Sequence, residues 1–182
     1  MNASAFVVGP QSGAGAPALI ELAHALGFAK VAPFGTRPAA EKQAMTTPLV
    51  FFFFAAVGNL RSLKPTAEAI RQSRSSAIRF APMIYFARKP DLDIIRGCIR
   101  MGFDDVIAVP FGEGVNERIM RQVGHMQVYY ETEHYFGPDR RDRNATRQEA
   151  VSSAAGEYRR YEIVRSPEKG IDVLHDDFQV VV

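Results

Sequence analysis

The sequence predicts an α/β fold in which a parallel sheet of five strands lies between two layers of helices. Short apolar runs alternate with segments of helical periodicity, the arrangement typical of such a sheet. The run Leu49–Phe54 is apolar at every position, which indicates a central strand that is buried on both faces. A length of 182 residues suits one compact domain with an appendage.

Five units of strand and helix are expected in order. The strands are expected at 5–8, 30–34, 49–54, 82–87 and 106–109, and the helices at 17–26, 37–45, 66–74, 91–101 and from 115 to about 132. The first helix has one apolar face and ends before Gly27, a favoured C-terminal residue. Thr36 and Asp91 are predicted N-caps of the second and fourth helices. In the fifth helix, Val115, Ile119, Val123 and Met126 recur at helical spacing.

The composition changes at Gly137, where a polar, turn-forming segment without periodicity begins. We therefore divide the chain into a first domain at 1–136 and an arginine-rich linker with a β-hairpin at 137–182. The hairpin is expected because residues 158–164 alternate in polarity, 166–170 form a turn and 171–174 can pair back.

Composition excludes several classes of protein. A net charge of +2 is too small to indicate a nucleic-acid-binding protein. The lone Cys98 excludes an intramolecular disulfide framework and fits a reducing compartment. The N-terminus lacks the pattern of a signal peptide, and the longest apolar run, 49–57, is too short to span a bilayer. A cytoplasmic protein without a membrane span is therefore expected, and no pattern of histidines or carboxylates predicts a metal or a cofactor.

The segment from Met101 to Phe111, Met-Gly-Phe-Asp-Asp-Val-Ile-Ala-Val-Pro-Phe, resembles the end of a bacterial response-regulator receiver domain. That family has a Gly-Ala-Asp-Asp-like helix end followed by a strand that finishes Lys-Pro-Phe. The apolar third strand and the start of the fourth at Pro82 also match its spacing, so the resemblance covers roughly residues 4–132. It implies a flavodoxin-like or CheY-like fold with the strand order 2-1-3-4-5.

The sequence departs from the family pattern at every position that would carry phosphoryl chemistry. Working receivers have two acidic residues after the first strand, a phosphorylated Asp at the end of the third, a hydroxyl residue after the fourth and a lysine after the fifth. Here Gly9 and Pro10 stand in place of the two acidic residues, and Phe54 in place of the phosphorylated Asp. Ala87 replaces the hydroxyl residue, and Val109 replaces the lysine. The resemblance therefore implies a degenerate, non-phosphorylatable pseudo-receiver that is not an enzyme and acts as a signalling adaptor in a two-component or phosphorelay-type pathway.

The resemblance also implies a protein-binding face. Receivers commonly bind a second copy or another partner through the fourth helix, fifth strand and fifth helix, which here carry Arg96, Arg100, Arg118 and Arg121. Tyr129 and Tyr130 belong to an aromatic cluster that either the tail or another chain covers. The expected partner is a signalling kinase, a regulator or a second copy.

Other groups leave alternatives open. Arg140, Arg141 and Arg143 could hold an anion or a nucleotide, because arginine-rich segments of some receiver-like proteins bind cyclic di-GMP. Arg159, Arg160 and Arg165 extend that stretch and are otherwise expected to contact a protein or solvent. The glycine-rich loop at 9–15 lacks the Gly-Lys-Ser/Thr ending of a phosphate-binding loop. Asp104 and Asp105 are expected to be solvated.

Overall fold

A computed structural model of the chain describes residues 1–10, 15–140 and 156–181. Its larger sheet has five strands in the order β2-β1-β3-β4-β5, and all neighbours are parallel. These strands are β1 (Ala3–Val8), β2 (Lys30–Pro33), β3 (Leu49–Phe54), β4 (Met83–Ala87) and β5 (Asp105–Ala108). The predicted strand order 2-1-3-4-5 is confirmed.

Helices cover both faces of this sheet. They are α1 (Gly15–Ala25), α2 (Arg37–Ala44), α3 (Lys64–Arg71), the single turn α4 (Ser76–Arg79), α5 (Leu92–Arg100) and α6 (Val115–Met120), with a 3₁₀ turn at Leu60–Leu63. Buried residues of α1 and α6 pack in one core cluster, and those of α2 to α5 pack in the other. The three-layer architecture expected from the alternating pattern is therefore present.

The central strand β3 shows why the apolar run requires burial on both sides. Phe51 and Phe53 lie in the α1 core, while Phe52 and Phe54 lie in the opposite core, and all four are 0% exposed. Each face adds edge-to-face aromatic contacts, such as the Phe28–Phe51 pair with ring centroids 5.1 Å apart. Such a strand has no face that tolerates water, so it fixes the middle of the sheet.

The expectation of a long fifth helix is wrong. Helix α6 ends at Met120, Gly124 adopts a positive φ of 78°, and residues Met126–Glu131 form strand β6. Glycine readily adopts this left-handed backbone conformation, which interrupts a helix. The following Val128, Tyr129 and Tyr130 favour a strand. This strand pairs with strands from later in the chain.

A second sheet, fully antiparallel, has the strand order β7-β6-β8-β9. Its other members are β7 (Phe136–Pro138), β8 (Gly156–Ser166) and β9 (Gly170–Val181). The predicted hairpin is present as β8 and β9. Because β6 precedes residue 137, this sheet takes strands from both sides of the proposed division, and the division itself stays a prediction.

The second sheet packs against the amino-terminal ends of the parallel strands. Gly170 lies so close to Pro48, which precedes β3, that an added Cβ would stand 2.5 Å from the Pro48 carbonyl oxygen. Phe80, which precedes β4, packs edge-to-face on Tyr129 and Tyr161 at 5.4 Å and 5.2 Å between ring centroids. The carboxyl ends of the parallel strands point away from the second sheet, at the other end of the parallel sheet. No helix in the described ranges has the length and apolar composition required to cross a membrane.

Candidate functional site

A cleft of about 770 Å³ opens at the carboxyl ends of the parallel strands. It adjoins most of the positions that the resemblance assigns to a phosphorylation site, since Pro10 and Val109 line it and Gly9, Phe54 and Ala87 are next to lining residues in sequence. Its lining comes from the ends of four strands and the first turns of α1: Pro10, Gly15, Ala16, Ala18, Leu19, Ala55, Ala56, Phe86, Arg88, Lys89, Val109, Pro110 and Phe111.

Gly9, directly after β1, has no room for a side chain. Its φ of 153° is one that other residues rarely adopt, and an added Cβ would stand 2.8 Å from the Cβ of Ala55. Ala55 is held in place because its N–H donates to the Val8 carbonyl at 2.8 Å. An acidic residue therefore does not fit at position 9 without local rearrangement, and the adjacent Pro10 is an exposed part of the cleft wall.

The other degenerate positions are apolar and partly or fully covered. Phe54, the last residue of β3, is 0% exposed and its ring packs against Phe103 with centroids 4.7 Å apart. Ala87 closes β4 and is buried, and its carbonyl accepts a 2.8 Å hydrogen bond from the N–H of the half-buried Val109. Hydrocarbon side chains therefore occupy the positions that the resemblance assigns to the nucleophile and the lysine.

The charged groups of the cleft are both basic. Arg88 and Lys89 line it, and among its described lining residues there is no carboxylate. Within the described ranges, no group of three or more His, Cys, Asp or Glu side chains is arranged to hold a metal ion. The described residues of the cleft offer apolar contact and positive charge, and not the carboxylate oxygens that bind Mg²⁺.

The four arginines of the predicted partner face lie on α5 and α6, beside the edge strand β5. Arg96 and Arg100 are exposed on α5, and Arg121 is exposed at the C-cap of α6. Arg118 is already engaged, because its Nη2 donates to Asp105 Oδ1 at 2.5 Å and to the Val106 carbonyl at 3.0 Å. Three of the four guanidinium groups therefore face solvent on this surface.

The two tyrosines of the predicted partner surface have different surroundings. Tyr129 is 0% exposed and packs against Phe80 and Phe136, so the second sheet covers it and no surface remains for a partner. That corrects the assignment of Tyr129 to an interface between chains, since the tail takes this role. Tyr130 is half-buried on the other face of β6, with its ring 5.7 Å from that of Tyr158.

The arginines predicted to hold an anion are only partly within the described structure. Arg140 is exposed, and its guanidinium donates a hydrogen bond to the carbonyl of Phe103. Arg141 and Arg143 lie outside the described residues. Arg159 forms an ion pair with Asp176 at 2.5 Å, and Arg160 forms one with Glu162 at 2.5 Å.

The main polar group missed by sequence reasoning is a buried ionic cluster between the two sheets. Asp104, expected to be solvated, is 7% exposed and accepts from Arg71 Nη2 and Arg165 Nη2, each at 2.7 Å. It also accepts from the hydroxyl of Tyr129 and, at 2.7 Å, from the N–H of Met83. Arg165, expected at the surface, is 0% exposed. Neither expectation holds, because residues distant in sequence surround both groups.

The two arginines of this cluster also satisfy backbone and amide oxygens. Arg71 donates to the carbonyls of Gly102, Arg79 and Ala81, and Arg165 donates to that of Phe80. Burial raises the pKa of the Asp104 carboxyl, but its ion pairs with Arg165 and Arg71 and the Tyr129 hydrogen bond outweigh this and lower the pKa to about 2. Burial raises the pKa of Tyr129, so its phenol stays protonated. The cluster is structural and lies at the opposite end of the parallel strands from the cleft.

Comparisons with known proteins concern this fold. No family model matches the chain, and no curated protein matches it. A CheY-like protein, tadZ, from Pseudomonas aeruginosa is 18% identical, with a TM-score of 0.49, and the match covers 66% of this chain and 99% of that one. The N-terminal signal receiver domain of a two-component response regulator from Bacteroides fragilis is 17% identical, with a TM-score of 0.40, covering 65% and 91%.

The topology itself supplies the classification. A parallel sheet in the order 2-1-3-4-5, with α1 and α6 on one face and α2 to α5 on the other, is the flavodoxin-like arrangement that CheY also has. The chain has a CheY-like fold, extended by an antiparallel sheet.

Proposed function

We propose that this chain is a non-phosphorylatable, receiver-like signalling adaptor that acts in the cytoplasm by binding a protein partner. The observation that carries the proposal is the composition of the cleft at the carboxyl ends of the parallel strands. Apolar residues and two cations line it. The resemblance assigns Gly9 and Phe54 to positions where receivers have acidic side chains.

Phosphoryl transfer requires an oxygen nucleophile, a hard cation held by carboxylates and a positive group that neutralises the developing charge. Arg88 and Lys89 supply only the last of these. A nucleophile at position 54 would place a carboxylate beside Phe103, and both of these positions are 0% exposed. The proposed role therefore involves no enzymatic step and no cofactor.

The surface formed by α5, β5 and α6 is the proposed partner-binding face, through which a second copy or another signalling protein docks. It exposes Arg96, Arg100 and Arg121 together with two large apolar side chains, Leu92 at 67% and Met120 at 39% exposure. Exposed apolar groups combined with arginines are common at protein interfaces. Among the described residues β5 pairs with β4 alone, and on its outer edge the Val106 carbonyl accepts from Arg118.

The absence of phosphoryl chemistry is tested with the full chain, Mg²⁺ and either acetyl phosphate or beryllofluoride. Mass spectrometry is expected to show no phosphoryl adduct, and amide NMR shifts near the cleft are expected to stay unchanged with beryllofluoride. A saturable beryllofluoride response at the strand ends, or a stable adduct with the mass of one phosphoryl group, contradicts the proposal.

The partner face is tested by affinity capture from the native cell and by sedimentation of the purified chain. The double variant Arg96→Glu, Arg100→Glu is expected to lose the captured partner or the dimer, because charge reversal opposes an interface built on these cations. Arg74→Glu, an exposed arginine beyond α3, is the matched control and is expected to retain binding. Equal retention by both variants moves the interface away from this face.

Binding of a cyclic dinucleotide through the segment that begins at Arg140 is the alternative role. Calorimetry with cyclic di-GMP separates the two roles, since the adaptor is expected to give no heat of binding. Heat that disappears in the Arg140→Ala, Arg141→Ala variant supports the dinucleotide role instead.

A further inference from the structure

The cleft has a second property that the adaptor role does not use. In doubly wound sheets, ligands bind outside the carboxyl ends of the strands, at the point where the strand order reverses. In this sheet the reversal lies between β1 and β3, and Pro10, Ala55 and Ala56 follow these two strands in the cleft wall. The cleft is therefore placed where this architecture forms a binding site.

The inner wall of the cleft is apolar and fixed by the core. Leu19 and Phe86 are 2% and 1% exposed, so they are held by packing before any ligand arrives. Phe111 extends the wall, with its ring edge-to-face on Phe86 at 5.7 Å. These groups offer dispersion contact and remove hydrocarbon from water, but they give no polar recognition.

Positive charge borders this apolar wall. Arg88 and Lys89 follow β4, line the cleft and are exposed, and neither forms an ion pair or hydrogen bond with another described residue. By contrast, Arg118 and Arg159 are neutralised by Asp105 and Asp176. Two unneutralised cations beside a hydrophobic wall attract an anion that also carries an apolar surface.

We propose that the cleft binds a small organic acid with an apolar or aromatic body, whose carboxylate, sulfonate or phosphate group lies against Arg88 and Lys89. Its volume of about 770 Å³ is within the range of small-molecule sites, roughly 300–1,000 Å³. Inorganic phosphate would leave the apolar surface of Pro10, Pro110 and the half-buried Phe111 in water, and a neutral hydrocarbon would leave both cations unpaired. This site would make the adaptor responsive to a metabolite, although the inference does not depend on the adaptor role.

The test uses two fluorescent probes of similar shape. The anionic probe is 8-anilinonaphthalene-1-sulfonate, and the neutral probe is N-phenyl-1-naphthylamine. With the full chain, the anionic probe is expected to bind saturably at one site. The variant Arg88→Gln, Lys89→Gln is expected to weaken this binding about tenfold and to leave the neutral probe unaffected, because charge-assisted contacts contribute that order of affinity.

Two further variants locate the probe. Ala56→Trp fills the cleft from an exposed position and is expected to abolish binding of both probes, while circular dichroism shows the fold intact. Phe178→Ser removes an exposed aromatic group of β9, 63% exposed, and is expected to change neither affinity. Binding that survives Ala56→Trp, binding lost with Phe178→Ser, or the absence of saturable binding to the unmodified chain overturns the proposal. Equal loss of both probes in the Arg88, Lys89 variant overturns its anionic part.

Discussion

Asp104 and Arg165 lie 61 residues apart in sequence and form a buried ion pair of 2.7 Å that joins the two sheets. Asp104 directly precedes β5 of the parallel sheet, and Arg165 belongs to β8 of the antiparallel one. Their side chains are 2% and 0% exposed, so neither charge can turn to water if its partner is lost. This pair, with Arg71 and Tyr129, makes the second sheet a part of the core of the molecule.

We predict that Arg165→Met destabilises the chain by about 3–5 kcal/mol, the usual cost of removing one member of a buried ion pair. The substitution leaves Gln122, Gln127 and the Phe80 carbonyl without their donor and takes one cation from Asp104. The free energy of unfolding is measured by urea denaturation followed by circular dichroism.

Arg159→Met is the matched control for this change. Arg159 lies on the same strand and forms an ion pair with Asp176, but its side chain is 49% exposed, and surface pairs contribute at most about 1 kcal/mol. Similar losses for the two variants would show that the buried pair is no stronger than the surface pair.

The stability of the chain is also expected to fall in acid because of Asp104. Its folded pKa of about 2 is below its ordinary value, so the carboxylate stabilises the fold above about pH 4, and this contribution is lost as the pH falls through about 2. Its full size is of the order of 2 kcal/mol. Urea midpoints measured from pH 5 to pH 2 follow the effect.

The Asp104→Asn variant isolates this contribution. At neutral pH it is expected to be less stable than the unmodified chain, and the difference in unfolding free energy is expected to shrink between about pH 4 and pH 2. A difference that stays constant over this range would mean that Asp104 is not the group that titrates.

The parallel sheet could be predicted from sequence because its signals are local. The apolar run of β3 and the caps at Thr36 and Asp91 each lie within a few residues, and the structure confirms these caps through bonds to Ala39 and Ile94. The burial of Asp104, by contrast, could not be predicted from the sequence. Nothing next to it indicates burial, since its partner cations Arg71 and Arg165 come from distant elements.

The second sheet was missed in part for the same reason. Val115, Ile119, Val123 and Met126 recur at helical spacing, yet only the first two belong to α6. Strand β6 is stabilised by pairing with β8, whose first residue is Gly156, so a local pattern could not show it. The available sequence signal was the glycine at position 124, which the helical spacing of the apolar residues outweighed; the structure shows that its φ is positive.

Removal of the tail is expected to disrupt the fold. A chain ending at Phe136 lacks β8 and β9, which uncovers Tyr129 and deprives Asp104 of Arg165. We predict a lower urea midpoint, a less cooperative transition and strong binding of a hydrophobic dye. An unchanged midpoint would show that residues 1–136 form an independent domain, as the division at Gly137 supposes.

An acidic residue placed directly after β1 is expected to strain the backbone. Gly9→Asp is expected to destabilise the chain by about 1–3 kcal/mol, the usual cost of a strained backbone conformation. The φ of 153° at Gly9 disfavours any residue with a side chain, and the new Cβ would lie 2.8 Å from the Cβ of Ala55. The measurement is again the urea midpoint, with amide NMR to show whether the β1 and β3 ends move.

Gly35→Asp provides the control, because Gly35 has no atom within 4 Å of an added Cβ and is exposed. It adds the same charge and is expected to change stability by less than about 0.5 kcal/mol. If Gly9→Asp were equally harmless, the end of β1 would be free to carry a carboxylate. The lack of an acidic residue in the cleft would then depend on side-chain identity alone. The close contact between position 9 and Ala55 predicts instead that the backbone conformation excludes a carboxylate there.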